Sequence, residues 1–277
     1  MEGGIHLTGD GRCDSPGHSA KYGGYTVIEQ RINKVLDTQL VQSNEVTSSN
    51  ACELEGLKRC LTLLTETHEL DVASMVTDRH KSIAKYLREE TPHNPHTAEL
   101  KHHFDAWHIA KGSKPGELLN DILTNPHVLK DIKKISSTYQ TSSLEAFHSL
   151  IIRFAPKHTG FMWLCQLARY YLAALHYNEN SARLQAVTRE GQERFTISFP
   201  KFKKGQHSVR KEKTPAKYKY TTNILEDLLQ AYSDSPQNLR ESIQEVRNQE
   251  PQPLASEMDH PDKDEAVRRH RCRFINQ

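Results

Sequence analysis

Three β-rich segments follow one another within the first 41 residues, and this feature constrains the fold more than any other. Segments 5–9, 25–28 and 34–41 are enriched in β-branched and aromatic residues. A Gly- and Pro-rich stretch at 10–17 separates the first two, and a short polar break at 29–33 separates the next two. Three consecutive antiparallel strands are the most economical arrangement of such segments.

Beyond residue 50 the pattern alternates between helix and strand. A helix is predicted over about 51–66, because four leucines recur there at helical spacing: Leu54, Leu57, Leu61 and Leu64. Segments 72–77 and 102–109 predict two further strands, with a helix at about 81–89 between them. From 117 to about 186 the pattern is helical. An α/β fold follows, with a mixed sheet, helices on its faces and a mainly helical C-terminal half.

This order of elements is that of an RNase H-like fold, and it suggests three regions. Residues 1–190 form the core, which includes a short helical insertion at about 112–138. Residues 191–232 form a basic extension with one strand and one helix. Residues 233–277 are polar and lack apolar periodicity, so we expect a disordered tail.

Composition narrows the function classes. With 277 residues and a net charge of +2, the chain can bury a core, and any DNA binding must come from local basic patches. The five cysteines contain no C-x-x-C pair, which argues against a disulfide scaffold and a zinc finger. No run approaches the roughly 18–20 apolar residues of a membrane span. We therefore expect an intracellular protein without a membrane partner.

Three acidic residues stand where a sheet and a helix can bring them together. Asp10 follows the first strand, Asp78 follows the fourth, and Glu145 lies beside the apolar stripe of the helix at 142–152. Three carboxylates suit hard divalent cations, and two such ions about 3.5–4 Å apart activate an attacking oxygen and stabilise a leaving one. An acid at a strand end is more often a turn former or a cap, so spacing alone does not select this interpretation.

Whole segments resemble a known family. GDGRCDSPG at 9–17, TDRH at 77–80, HFDAWHIAK at 103–111 and SSLEAFH at 142–148 resemble, in the same order, the motifs of Kolobok-type DDE DNA transposases. These are relatives of the hAT and P-element groups, and the resemblance covers roughly residues 5–225.

The resemblance implies a function. The family's D-D-E carboxylates fall on Asp10, Asp78 and Glu145, holding two Mg²⁺ or Mn²⁺ ions for DNA cleavage and strand transfer in the nucleus. DNA is the implied partner, and a homodimer is implied because transposition joins two DNA ends. The chain begins four residues before its first strand, so a truncated or domesticated copy is expected. A non-catalytic DNA- or protein-binding remnant and a simple RNase H-like nuclease are the alternatives.

Four supporting residues carry open interpretations. Asp14 is the rival of Asp10 for the first carboxylate, and we favour Asp10 because it directly follows the strand. By the resemblance, the Asp-x-x-His signature falls on Asp105 and His108, which would order the active centre or flanking DNA; a buried strand end is the alternative. His80 can contact phosphate or a carboxylate, or lie on the surface at a helix start.

A basic segment follows the core. Its cations alternate with aromatic residues such as Phe202 and Tyr218, and we assign DNA binding to six of them: Lys201, Lys203, Lys204, Arg210, Lys211 and Lys213. Such a patch can neutralise phosphates and stack exposed bases. A solvated loop and a nuclear-import signal are the alternatives.

Overall fold

The computed structural model describes residues 3–15, 20–105, 132, 134–136 and 138–270. Five strands form its main sheet: β1 (Ile5–Cys13), β2 (Tyr22–Glu29), β3 (Lys34–Gln42), β4 (Val72–Thr77) and β5 (Lys101–Phe104). Their spatial order is β3-β2-β1-β4-β5. The pairs β1–β2 and β2–β3 are antiparallel, whereas β1–β4 and β4–β5 are parallel. The predicted α/β class, with three antiparallel strands leading a mixed sheet, is confirmed.

Two helices cover one face of this sheet. They are α1 (Ser49–Thr62), which continues as a π-helical turn to Thr67, and α2 (Lys81–Glu89). The leucine stripe of α1 packs against Leu7, Tyr25 and Met75 of the sheet. Each such side chain contributes roughly 1.5–3 kcal/mol when it is buried.

The other face is covered by α3 (Ser142–Phe154) and α4 (Trp163–Asn180). Leu144, Phe147 and Ile151 of α3 are fully buried and contact the sheet and α4 in one cluster. The stripe read from the sequence therefore holds α3 against the sheet and fixes where its first turn lies.

A side chain of α4 completes the edge of the sheet. The Asn178 carboxamide accepts a hydrogen bond from the Val35 N–H at 2.8 Å and donates one to the Val35 carbonyl at 2.9 Å. The outer edge of β3 thus finds at Val35 the partner that a further strand would otherwise supply.

Two strands have boundaries that differ from the predicted ones. β1 does not end at Gly9 but runs to Cys13, because Gly11 pairs with Tyr25 and Cys13 with Gly23 in the antiparallel ladder. Asp10 therefore lies within a strand. The predicted fifth strand at 102–109 starts at Lys101 and β5 ends at Phe104, while residues 106–109 and most of the insertion at 112–138 lie outside the described residues.

The C-terminal part contains a hairpin of β6 (Phe195–Ser198) and β7 (Ser208–Lys211). Then follow α5 (Lys219–Asp234), α6 (Pro236–Asn248) and α7 (Lys263–Arg269). The prediction of disorder from residue 233 is corrected by α6 and α7. Ser235 caps α6 by accepting from the Asn238 N–H, and Pro236 fits the first turn; these local signals form a helix without a buried side chain.

Residue 252 brings the chain back to the sheet. The Gln252 carbonyl accepts hydrogen bonds from Gln42 Nε2 at 2.6 Å and from Asn44 Nδ2 at 3.1 Å. Gln42 is the last residue of β3, and its side chain is buried. Between 218 and 252, α5 exposes five large apolar side chains: Ile224, Leu225, Leu228, Leu229 and Tyr232.

Cysteine pairing and membrane insertion can be checked in the described part of the chain. Cys13, Cys52, Cys60 and Cys165 are free thiols there, and Cys272 lies outside it. None of the helices described is both long and apolar enough to cross a bilayer.

Candidate active site

The register of two parallel strands brings the first two acids together. Thr8 of β1 pairs with Val76 of β4, so Asp10 and Asp78 each stand two residues further along, at the same end of the sheet. The negative charge of Asp78 raises the pKa of Asp10. The expectation that neighbouring strands carry both carboxylates to comparable heights therefore matches the geometry.

The third acid comes from the first turn of α3. Glu145 is exposed there, and its charge also raises the pKa of Asp10. The structure thus places Asp78 and Glu145 within electrostatic range of Asp10. Burial of Leu144 and Phe147 on either side sets this position.

Asp105 anchors the start of that helix. It is 1 % exposed, its N–H donates to the Thr77 carbonyl at 2.9 Å, and its Oδ2 accepts from Thr141 Oγ1 at 2.6 Å. Thr141 directly precedes α3. A cavity of about 250 Å³ joins Asp105 to Glu145. Asp105 therefore lies beside the acids, while His108, its proposed partner, lies outside the described residues.

A fourth carboxylate belongs to the site and was missed from the sequence. Glu53 of α1 has its pKa raised from 4.5 to about 7, first by burial and then by the charge of Asp78. Its side chain lies over Gly11, where a Cβ would stand 2.4 Å from Glu53 Cγ. The sequence signal for this approach was the pair Gly9 and Gly11, two residues apart on the side of β1 that faces α1, where the absence of side chains leaves room for Glu53.

Burial and the charges of these neighbouring acids both act on Asp10. Its pKa is raised from 3.8 to about 7 by burial first, and then by the charges of Asp78, Glu53 and Glu145. The Gly11 N–H donates to Asp10 Oδ1 at 2.8 Å and partly opposes this shift. Like charges this close favour a proton or a cation among them.

Two histidines touch the acids. His80 caps α2, its Nδ1 accepts from the Ile83 N–H, and its Nε2 lies 3.8 Å from Glu53 Oε2, so the cap and carboxylate interpretations both describe it. His148, missed from the sequence, places Nδ1 3.7 Å from Asp10 Oδ2. Burial, with the charges of Arg12 and Lys157, lowers the pKa of His148 to about 3, so this ring is neutral.

Asp14 is held away from this arrangement. Its Oδ1 accepts from the Lys21 N–H at 3.1 Å, and its own N–H donates to the Tyr22 carbonyl at 3.0 Å. These bonds close the connection between β1 and β2. Between the two aspartates of this segment, Asp10 is the one beside Asp78 and Glu145.

The basic segment divides into two parts. Lys201, Lys203 and Lys204 lie in the connection between β6 and β7, with Arg210 and Lys211 on β7, and all but the half-buried Lys203 are exposed. Lys213 instead lines a cavity beside α3 and α4. Five of the six predicted cations therefore lie on the β6–β7 hairpin, and Lys213 lies two residues beyond it.

The donor set suits a hard divalent cation, since it consists of carboxylates whose mutual repulsion a cation would offset. Asp10, Asp78 and Glu145 would hold it, with Glu53 beside them. Within the described residues, no group of three or more His, Cys, Asp or Glu converges closely enough to hold a metal ion as it stands.

Comparison with known proteins identifies no relative. No family model matches the chain, and neither a curated protein nor a solved structure matches it.

Proposed function

We propose that this chain is a transposase-derived, RNase H-like protein that performs divalent-metal-dependent DNA strand cleavage and strand transfer. Asp10, Asp78 and Glu145 are the proposed metal-holding carboxylates. The observation that carries the proposal is the set of acids at one end of the sheet, where burial and the neighbouring negative charges raise the pKa of both Asp10 and Glu53 to about 7. Perturbed carboxylates that share one location are typical of catalytic sites.

The topology supports the same proposal. An RNase H-like sheet has three antiparallel strands followed by two parallel ones, and the order β3-β2-β1-β4-β5 agrees with it. Nuclear location and the pairing of two copies on two DNA ends belong to this proposal and rest on the resemblance of the four sequence segments.

The side chains have distinct roles in the proposed reaction. When bound, Mg²⁺ or Mn²⁺ would activate the attacking oxygen and stabilise the leaving oxygen. Neutral His148 lies against Asp10. Because the ring carries no charge, the Asp10 carboxylate is free to bind a cation and does not pair with an imidazolium. Asp105 and Thr141 fix the turn that carries Glu145. Glu53 adds negative charge next to Asp78 and strengthens attraction for a cation.

Manganese titration tests the proposal. Calorimetry should show millimolar or tighter Mn²⁺ binding by the full chain, and Asp78→Asn should weaken it by at least about tenfold. Asp71→Asn is the matched control, because Asp71 is exposed and precedes the opposite end of the same strand. Its affinity should equal that of the wild type.

Cleavage of labelled DNA hairpins and nicked ends, measured in Mn²⁺, completes the test. We expect cleavage by the wild type and Asp71→Asn but not by Asp78→Asn. Negligible metal binding by all three proteins would overturn the proposal and favour the non-catalytic remnant. Cleavage without joining of a 3′-hydroxyl to target DNA would instead identify a simple nuclease.

A further inference from the structure

A second cavity, of about 470 Å³, lies between α3, α4 and the segment after β7. Among its lining residues are Ser149, Arg153, His176, Asn180, Arg183 and Lys213. Three of these carry a positive charge, and none of the described residues that line the cavity is acidic. A concave surface with cations and hydroxyl or amide groups, and without carboxylates, suits an anion.

The positive field acts inside the cavity. Burial lowers the pKa of His176, and the charges of Arg183 and Arg153 lower it further against the opposing charge of Glu179. That carboxylate is engaged elsewhere, because it accepts from the Lys219 and Tyr220 N–H groups at 2.9 and 3.0 Å. At His176, the positive charges of Arg183 and Arg153 therefore outweigh the negative charge of Glu179.

Two residues that line the cavity, Arg183 and His176, each carry a buried nitrogen atom. Arg183 is positioned by its Nη1, which donates to the Thr214 carbonyl at 2.8 Å. Its Nε and the Nδ1 of His176 are buried and have no hydrogen-bond partner among the described residues. A buried polar atom without a partner costs roughly 1–3 kcal/mol, so a shift of either side chain towards the cavity would be favoured if a ligand there paired with it.

The cavity lies next to the acid site along α3. Ser142 lines both this cavity and the one that joins Asp105 to Glu145. Arg153 lies eight residues after Glu145, about 12 Å along the helix axis. That length corresponds to about three base-pair steps of a DNA duplex, at roughly 3.4 Å per step.

Aromatic rings stand at the far side of the cavity. The ring centroid of His176 lies 5.3 Å from that of Tyr218 and 5.7 Å from that of Tyr220. Tyr218 is 59 % exposed. An exposed ring beside cations is a platform on which a nucleic-acid base can stack.

We propose that this cavity binds the phosphate backbone of a nucleic-acid strand a few nucleotides from the bond that is cleaved. Arg153, Arg183 and Lys213 contact the phosphate, and Tyr218 stacks on a neighbouring base. The inference rests on the proposed function for the direction of the strand towards Glu145, but the binding itself requires no metal.

Strand binding without divalent metal tests the inference. Fluorescence anisotropy of a labelled single-stranded DNA 20-mer in EDTA should show Arg153→Gln weakening affinity at least about threefold, with the salt slope falling by about 0.7. Lys213→Gln should weaken the affinity and lower the salt slope to a similar extent. Both side chains are exposed, so folding should persist. Arg88→Gln is the control, since Arg88 is exposed on α2 and pairs only locally with Glu89.

Each result has one meaning. Equal affinity of wild type and Arg153→Gln, or no binding by either, overturns the inference. Displacement of the 20-mer by equimolar inorganic phosphate would reduce the cavity to a simple anion site and overturn the strand assignment. Loss of Mn²⁺ binding and cleavage with an intact Arg153 effect would reject the proposed function and leave this inference standing.

Discussion

Glu53 of α1 occupies the space that a side chain at position 11 of β1 would need, since a Cβ on Gly11 would lie 2.4 Å from Glu53 Cγ. The missing side chain therefore admits a fourth carboxylate to the acid site. Glu53 is flexible enough to move when that space is filled, so its position depends on Gly11.

We expect Gly11→Ala to displace Glu53 and to weaken Mn²⁺ binding several-fold, while the free energy of unfolding changes by less than about 1 kcal/mol. Calorimetry and urea unfolding measure the two effects. Gly24→Ala is the comparison, because its Cβ would meet Cε1 of the buried Tyr170 at 2.5 Å. That rigid ring should make Gly24→Ala costlier, by about 1–3 kcal/mol. The reverse order of stabilities would contradict this account.

Asp10→Asn should stabilise the metal-free protein at pH 8. Folding raises the pKa of Asp10 from 3.8 to about 7, so the folded state binds its proton more tightly than the unfolded chain does. Its stabilising contribution is present below about pH 4 and is lost as pH rises through about 7. Asparagine does not titrate, so Asp10→Asn does not lose stability in this way. Its free energy of unfolding should exceed that of the wild type by on the order of 1–3 kcal/mol at pH 8 and should equal it near pH 4.

Urea unfolding in EDTA at several pH values checks this prediction. The lowered pKa values of His148 and His102 act in the opposite direction in both proteins, so they should largely cancel in the difference. A difference that is independent of pH would contradict the assignment of repulsion to Asp10.

Thr141→Val should destabilise the start of α3. The Thr141 hydroxyl donates to buried Asp105 at 2.6 Å, and loss of this hydrogen bond to a buried carboxylate should cost about 1–3 kcal/mol. Thr141→Ser keeps the hydroxyl and should retain most of the stability. Urea unfolding separates the two variants; a larger loss in Thr141→Ser than in Thr141→Val would assign the effect to packing of the methyl group.

Asn178→Ala should loosen the outer edge of the sheet. Asn178 makes two hydrogen bonds to Val35 of β3, and removing them should cost about 1–3 kcal/mol. Hydrogen exchange should show the Val35 amide opening faster. Exposed Asn248→Ala on α6 serves as the control and should leave both measurements unchanged.

The sequence predicted the sheet because its information is local. β-branched segments, a leucine stripe and an amphipathic helix each signal their own element within a few residues. Asp10, Asp78 and Glu145 each lie next to such a signal, but it was the resemblance of four whole segments to a known family that selected them. Asp10 lies beside Asp78 because β1 pairs with β4, whose residues are more than 60 positions away in the sequence. From the sequence, the approach of the two acids could be predicted only on the condition that these strands are neighbours.

Other members of the site depend on packing between distant elements. Glu53 reads as a polar residue on a leucine-rich helix, and only its approach to Gly11 shows its role. His148 lies three residues after Glu145, but its neutrality follows from burial against the sheet. The extension of β1 past Asp10 was missed because the glycines of 9–11 signal a turn as strongly as they signal close packing.

The bonds from Gln42 and Asn44 to the Gln252 carbonyl have a consequence for α5 and α6. The chain leaves the core after Asn180, forms these helices and returns at Gln252, which Pro251 and Pro253 hold in an extended backbone. The two helices are therefore tethered at both ends. Tethering restricts the volume that the apolar side chains of α5 can sample and keeps their local concentration beside the sheet high.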